Sequence, residues 1–488
     1  MANSIVGAGV LSLPFAFQAT GLLGGLIMCT TVCVTEGLTG YVLSKFAERY
    51  QARTYVELVR RALGRKLAVF LSTILVVAMF GSCVAYLIIM ADNLTALFGA
   101  FGLPPWACDR QVVVAAIGFL VELPMCLPRD LGALNTLNRV AVLGFLVGAA
   151  LVVARSFQLA FERDDVWEGV ELFSLNYHSL FAIPIVVFGF NCHSMIVSIF
   201  AELDPTPTIV VPALPPSPSY FRRFRYIPRP NSRKLLGMLS VIMASSVLVL
   251  TVYVAMGVSG YMAFPDHISA NILVSFDQND PIVNVARVAV TLIVLGSYAL
   301  THHPARGGFE HLAQPLLARA GGPVPRWASV AFTVVFVSAS TAVAEVVSDL
   351  GVVLQLVGGL CITFIIFFLP GLLLINAAIV KHSTQVLNDL EAEAIASLRV
   401  SNSGEAPADA EAGGAGGLTE PLLVRTASLT GMKDSHLHRL VSARDKGIKK
   451  AGYMYAPRLS WLWGTLLLVL SLLVAGVTLV TVILGGEN

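Results

Sequence analysis

Residues 1–17 read MANSIVGAGVLSLPFAF, a stretch apolar enough to open a membrane helix, yet it carries Gly7-Ala8-Gly9 and Pro14 in its middle. Glycine costs a helix interior ~1 kcal/mol relative to alanine, and proline ~3. A second stretch repeats the anomaly. Residues 181–203, FAIPIVVFGFNCHSMIVSIFAEL, interrupt an apolar run with Pro184, Gly189, Asn191, Cys192 and His193. Unwound backbone survives at membrane depth only where protein buries it or where it lines a polar cavity. There the freed N–H groups can bind an anion and the freed C=O groups a cation. Interrupted helices at matching positions of two halves point to a substrate site between inverted repeats. A zwitterion with a carboxylate, with a cation beside it, is the natural guest. The competing reading is packing, because glycine and proline also serve as contact or kink residues in membrane helices. A dinucleotide fingerprint is excluded: no third glycine follows at the required spacing, and no βαβ unit can form here.

Composition agrees with a membrane protein. Of 488 residues, 56% are hydrophobic and only 13% charged, with mean hydropathy +0.77. Soluble domains carry about 25% charged residues. Of the seven cysteines, all but Cys108 lie in apolar segments, and no CxxC motif suggests a metal site or a disulfide framework. The first apolar run has no basic leader, so no cleavable signal is expected. No metal, nucleotide or nucleophile motif stands in a context that would make an enzyme. No cofactor or nucleic-acid partner is expected, and a monomer is the default.

Eleven spans are expected, at 1–21, 23–46, 67–98, 111–128, 138–160, 177–200, 236–262, 282–303, 327–347, 350–378 and 459–484. If the start of the first is cytoplasmic, 28 of the 32 Lys and Arg residues fall on the inner side. The remaining four are Arg110, Arg155, Arg163 and Arg287, at the outer side or outer helix ends. Such a bias sets orientation. Residues 204–220 are proline-rich and expected to be extended. Residues 401–435, rich in Gly, Ala and Ser, are expected to be disordered, and 383–399 to form a short amphipathic helix.

Charged groups at membrane depth are functional by default. Glu36 in the second span and Glu122 in the fourth are candidates for a proton or gating role. Glu122 is close enough to the inner edge for partial solvation. Asp92 is expected to meet solvent or cap a helix. His193 reads either as a satisfied structural histidine or as a residue that bonds substrate or carries a proton. Asn93-Leu94-Thr95 is a glycosylation sequon at the membrane edge, expected to stay unmodified.

Seven motifs in order resemble the amino acid/auxin permease family, which includes the sodium-coupled neutral amino acid transporters. NSIVGAGVLSLPFAF is similar to the family's first-helix signature, and TYVELVRRALG (54–64) to its cytoplasmic motif after helix 2. AYLIIMADNL (85–94) resembles the end of helix 3, and LPRDLGAL (127–134) the helix 4–5 turn. VFGFNCHSMIVSIFAEL (187–203), GSYALTHHPAR (296–306) and residues 349–375 resemble helices 6, 8 and 10. The resemblance implies an all-α membrane protein with a LeuT-like fold: two inverted five-helix repeats, broken helices 1 and 6, and an eleventh helix. It implies that Asn3 and Ser297 hold a coupling sodium. It implies that the backbone of Gly7, Ala8 and Gly9 contacts the substrate carboxylate, with Phe188, Asn191 and His193 at the facing break. A bulky side chain at Gly9 would then fill the carboxylate's space. Members of the family usually carry about ten further helix residues before NSIVGAG, so a truncated gene model lacking the inner half of helix 1 is expected.

The expected organisation is a first repeat over 1–160 and a second over 177–378 with a proline-rich inner loop at 204–235. An inner loop spans 379–458, and helix 11 lies in 459–488. The expected function is cation-coupled (Na+ or H+) transport of neutral, glutamine-like amino acids by alternating access. The expected place is the plasma membrane or a lysosomal or vacuolar membrane. The alternative is a sensor with a transporter fold that binds an amino acid without moving it.

Overall fold

The chain is all helix because its apolar runs must satisfy their own backbone. The computed structural model describes residues 8–128, 132–174, 176, 179–203, 232–317, 324–379 and 457–485. Asn3 and Gly7 lie outside these residues, as do the segments 204–220, 383–399 and 401–435. The first helix starts as a 3-10 turn, Ala8–Ser12, and continues as α1 (Leu13–Thr20). Pro14 sits in the first turn of α1, where its missing N–H costs little. The following helices are α2 (Leu22–Tyr50), α3 (Tyr55–Ala62), α4 (Arg65–Ala100), α5 (Arg110–Ala116), α6 (Leu123–Cys126) and α7 (Gly132–Phe161). Then come α8 (Ser179–Gly189), α9 (His193–Glu202), α10 (Ser232–Ala263), α11 (Ile272–Ser275), α12 (Pro281–Leu317), α13 (Arg326–Val346), α14 (Leu350–Leu356) and α15 (Pro457–Gly485). Among the described residues, nine helices are long and apolar enough to cross a membrane. Two of the eleven expected spans are not among them. The first is described only from Ala8. The fourth is shorter than expected, α5 and α6 being joined by the π segment Ile117–Glu122.

Polar side chains inside these helices find local partners. In α2, the Thr30, Thr35 and Thr39 hydroxyls donate to the carbonyls of Leu26, Thr31 and Thr35. α3 is amphipathic and capped at both levels. Thr54 Oγ1 accepts from Glu57 N at 3.2 Å, and Glu57 Oε2 from Arg53 N at 2.9 Å. The turn between α1 and α2 requires glycine. Gly21 has φ 78°, and a Cβ there would lie 2.8 Å from the Leu172 carbonyl. That close approach lets Glu171 O and Leu172 O accept from Leu22 N and Leu23 N, each at 2.9 Å.

The eighth span is longer than expected, and the excess changes the role of one cation. α12 runs through Pro304, Gly307 and Gly308 to Leu317. Arg306 is therefore not in an inner loop. It is buried in the helix, and its Nη2 donates to Cys126 O at 2.9 Å and Pro128 O at 3.1 Å. It satisfies carbonyls left at the end of α6. Arg287, expected at an outer helix end, is likewise buried, over α11. Asp92 caps no helix: Asn271 Nδ2 donates to its Oδ2 at 3.3 Å, and Arg110 Nε lies 3.8 Å from it. Asn93 is 1% exposed within α4, where a glycan could not be attached.

Asp280 opens α12 by accepting from Ile282 N and Val283 N, and it also accepts from Arg155 Nε at 2.6 Å. Partial burial pushes its carboxyl up. The Arg155 guanidinium and the two amides outweigh that and hold it below the ordinary aspartate value. A depressed carboxylate stabilises the fold above its unfolded pKa and loses that contribution as pH falls through the lowered one. Asp280→Asn is expected to flatten the fall of thermal stability below about pH 4. A melting series against pH checks this.

The chain divides into two compact units, residues 1–206, 231–370 and 467–488 in one, and 207–230 and 371–466 in the other. In the first, α12 packs on α4 and α7, α10 on α1, α2 and α7, and α1 on α8. In the second, a Cβ on Gly464 would lie 2.7 Å from Gly371 O, so two helices cross there at backbone distance.

Candidate functional site

The helix break between α8 and α9 occupies residues 190–192, within the stretch 187–203 whose residue types forbid a continuous apolar helix. Its backbone is largely paired. Phe190 N donates to Val186 O and Asn191 N to Phe188 O, each at 3.2 Å. Gly189 O accepts from the Tyr253 hydroxyl of α10 at 2.9 Å. Asn191 Oδ1 accepts from His193 N at 3.4 Å, capping α9. The Phe190 and Tyr253 rings meet edge to face, centroids 4.8 Å apart.

The 3-10 turn of the first helix lies against this break. A Cβ on Gly9 would be 2.5 Å from Gly189 Cα, 3.1 Å from Gly189 N and 3.4 Å from the Phe188 ring. It would meet the backbone of Gly189 first. Gly358 in the π segment Val357–Ile362 plays the same part on the other side of α8. A Cβ there would collide with the Pro184 carbonyl.

A buried polar cluster sits beside the break. Thr39 Oγ1 lies 2.8 Å from His193 Nε2. The carboxylate of Glu36 and the thiol of Cys192 complete it: one donor atom each from Glu36, Cys192 and His193 all lie within 4.8 Å of one another. Among the described residues, neither Glu36 oxygen nor His193 Nδ1 has a hydrogen-bond partner.

This arrangement, a broken helix faced by a small-residue turn within an all-helical apolar bundle, fits a carrier of small solutes. The family model described as transmembrane amino acid transporter protein matches residues 1–210 and 229–396. The chain belongs to that family. It is 30% identical over 387 residues to sodium-coupled neutral amino acid transporter 7 of Xenopus laevis, covering 77% of this chain and 78% of the relative. It is 24% identical to vacuolar amino acid transporter 6 of Saccharomyces cerevisiae, covering 79% and 90%. A solved structure of an Eremococcus coleocola manganese transporter mutant aligns over 98% of this chain and 94% of that one, at TM-score 0.46 and 14% identity.

In this member of the transmembrane amino acid transporter family, the residues singled out from sequence separate into groups. Gly9, Phe188 and Gly189 meet at the break. His193 turns its ring to α2 instead and is wholly buried. Ser297 lies on α12, and its hydroxyl donates to Ile293 O at 2.9 Å. Both of its lone pairs remain available to a cation. Glu122 is not partly solvated as expected. It is 0% exposed in the π segment Ile117–Glu122, and neither oxygen has a partner. It stands apart from the Glu36 cluster, among Cys83, Cys126 and Tyr298.

Sequence reasoning missed Thr39 and Tyr253, and read Cys192 only as one of the residues that interrupt the apolar run. Thr39 was in reach, because a residue three after Glu36 shares its helix face. Tyr253 was not, because only the packing of α10 brings it to Gly189. Tyr253→Phe keeps the ring contact and removes the donor to Gly189 O. A buried carbonyl without a donor costs about 1–3 kcal/mol. The transporter's melting temperature is expected to fall, and a melt unchanged from wild type would show that water replaces the hydroxyl.

Proposed function

We propose that this protein is a secondary active transporter of neutral, glutamine-like amino acids, driven by a cation and working by alternating access. The observation that carries the reading is the broken α8–α9 helix with Gly9 held at backbone distance from Gly189. Family membership and the names of the relatives support it. In this reading the frame is a LeuT-like set of eleven helices. Its inverted repeats run over 1–160 and 177–378, and residues 204–235 and 379–458 lie on the inner side. The backbone of Gly7, Ala8 and Gly9 receives the substrate carboxylate, and Phe188 and Asn191 line the facing break. His193 stands at the same break, with its Nε2 held by Thr39. Sodium is the favoured driver, held by Asn3 and Ser297, since neutral oxygen donors suit a hard cation. A proton is the alternative driver.

The test is uptake of labelled glutamine by the full chain in proteoliposomes, under a sodium gradient, a pH gradient, or neither. Accumulation driven by sodium, and lost in Ser297→Ala, is expected. Accumulation driven by pH alone replaces sodium with the proton. Binding without uptake or exchange would turn the reading to a sensor, and neither binding nor uptake would overturn it.

A further inference from the structure

We propose that Glu36, Cys192 and His193 form a binding site for a divalent transition metal of the zinc class, joining α2 to the first turn of α9. The site is built from three different donors at one point. Their atoms lie within 4.8 Å of one another. All three residues are buried, with exposures of 4%, 3% and 0%. Tetrahedral ligands around one zinc ion, at about 2.0–2.3 Å from it, stand about 3.3–3.8 Å apart, so the three donors close by up to roughly 1–1.5 Å on binding.

The histidine is already set for ligation. A threonine hydroxyl has one hydrogen. That of Thr39 faces two carbonyls, Thr35 O at 3.0 Å and Glu36 O at 3.1 Å. When its hydrogen is used on α2, a lone pair is turned to His193 Nε2 at 2.8 Å, and Nε2 carries the ring proton. Nδ1 then holds a lone pair and has no partner among the described residues. A histidine ligand tethered through its other nitrogen is the usual outer-shell device of metal sites.

The carboxylate points the same way. Both Glu36 oxygens are buried without a partner, and a bare charge in such a place needs a counter-charge. The titratable groups around it are Cys29 and Cys33 on α2, Cys192 at the break and Tyr253 on α10. Among the described residues only His193, in the cluster itself, can be cationic, and its full burial disfavours that charge. Without metal a proton on the Glu36 carboxyl balances the site, and a divalent ion with one carboxylate, one thiolate and one neutral imidazole likewise sums to zero charge. Binding releases the Glu36 carboxyl proton and the Cys192 thiol proton to solvent as the metal–oxygen and metal–sulfur bonds form. Sulfur and nitrogen donors select zinc-class ions over Na+, Mg2+ and Ca2+, which take oxygen. Three protein ligands leave a fourth position open.

The test uses the purified, chelator-stripped full chain with Co2+ as a spectroscopic probe. One Co2+ per chain is expected, with a sulfur-to-cobalt charge-transfer band that Zn2+ abolishes. Two protons should be released per metal bound, one from Glu36 and one from Cys192. C192S should lose the band, E36Q and H193Q should weaken binding by 10-fold or more, and T39V should weaken it by 10–100-fold through the histidine's orientation. Melting curves establish that each variant is folded. C192S and T39V are the gentlest changes and keep the test open if E36Q does not fold. A band that survives C192S, or no stoichiometric binding, overturns the site. So does an infrared carboxyl band that vanishes in E36Q but persists at saturating metal, since Glu36 would then keep its proton and hold no ion. The inference rests on the transporter reading only for its effect on uptake: an ion linking α2 to α9 across the break should block glutamine uptake in wild type but not in C192S. Metal binding with no uptake under any gradient counts against transport and leaves the site standing.

Discussion

Gly9→Leu is expected to yield protein that does not assemble, rather than a folded carrier with an empty site. The Cβ alone would stand 2.5 Å from Gly189 Cα and 3.1 Å from Gly189 N. Both are backbone atoms, so no side chain can rotate away. Carbon atoms rest at about 3.5–4.0 Å, and α8 would have to retreat by roughly 1 Å. It cannot do so freely, because a Cβ on Gly358 would already meet the Pro184 carbonyl behind it. Overpacking of this kind costs about 1–3 kcal/mol even where neighbours yield, and here they are main chain on both sides. Gly9→Ala should lose part of the monodisperse peak in detergent, and Gly9→Leu nearly all of it. Gly476→Leu is the control, with nothing within 4 Å of its Cβ. Monodisperse Gly9→Leu with a native melt would show that the two breaks do not touch.

Arg287→Met is the second large effect, expected in stability. The side chain is 1% exposed. Its Nη2 donates to the carbonyls of Leu273, Phe276 and Asp277 at 2.9, 3.2 and 3.3 Å, and its Nη1 to Gln278 O at 3.1 Å and Asn284 Oδ1. One guanidinium thus closes the end of α11 and ties it to the start of α12. Methionine fills much of the same volume but leaves two buried acceptors, Leu273 O and Phe276 O, without a donor, at about 1–3 kcal/mol each. A loss of several kcal/mol is expected, read as a fall in melting temperature. Arg287→Lys should recover little, because an ammonium cannot span the acceptors that the planar fork reaches. An unchanged melt in Arg287→Met would mean that these carbonyls turn to water.

The sequence by itself determined the class, the family and the place of the break. Apolar runs of span length leave a backbone only helical solutions in lipid, and Gly189 and Asn191 mark where one helix stops, whereas Pro184, which reads as a further interruption, lies inside α8. Composition and motif order are local properties, so they survive without coordinates. What only the tertiary structure decided is which atoms meet. Arg306 reads from sequence as a loop cation and is in fact a buried cap for α6, because helix length depends on what packs around Pro304 and the following glycines. Glu122 reads as half-solvated and is fully enclosed, because a residue's depth depends on neighbours far along the chain. Gly9 reads as a space for ligand and is a backbone contact, since the sequence does not specify what fills the space a missing Cβ leaves. The Glu36, Cys192 and His193 cluster was invisible for the same reason. Residues 36 and 193 share no sequence pattern, and only the packing of α2 against the start of α9 places a carboxylate, a thiol and an imidazole around one point.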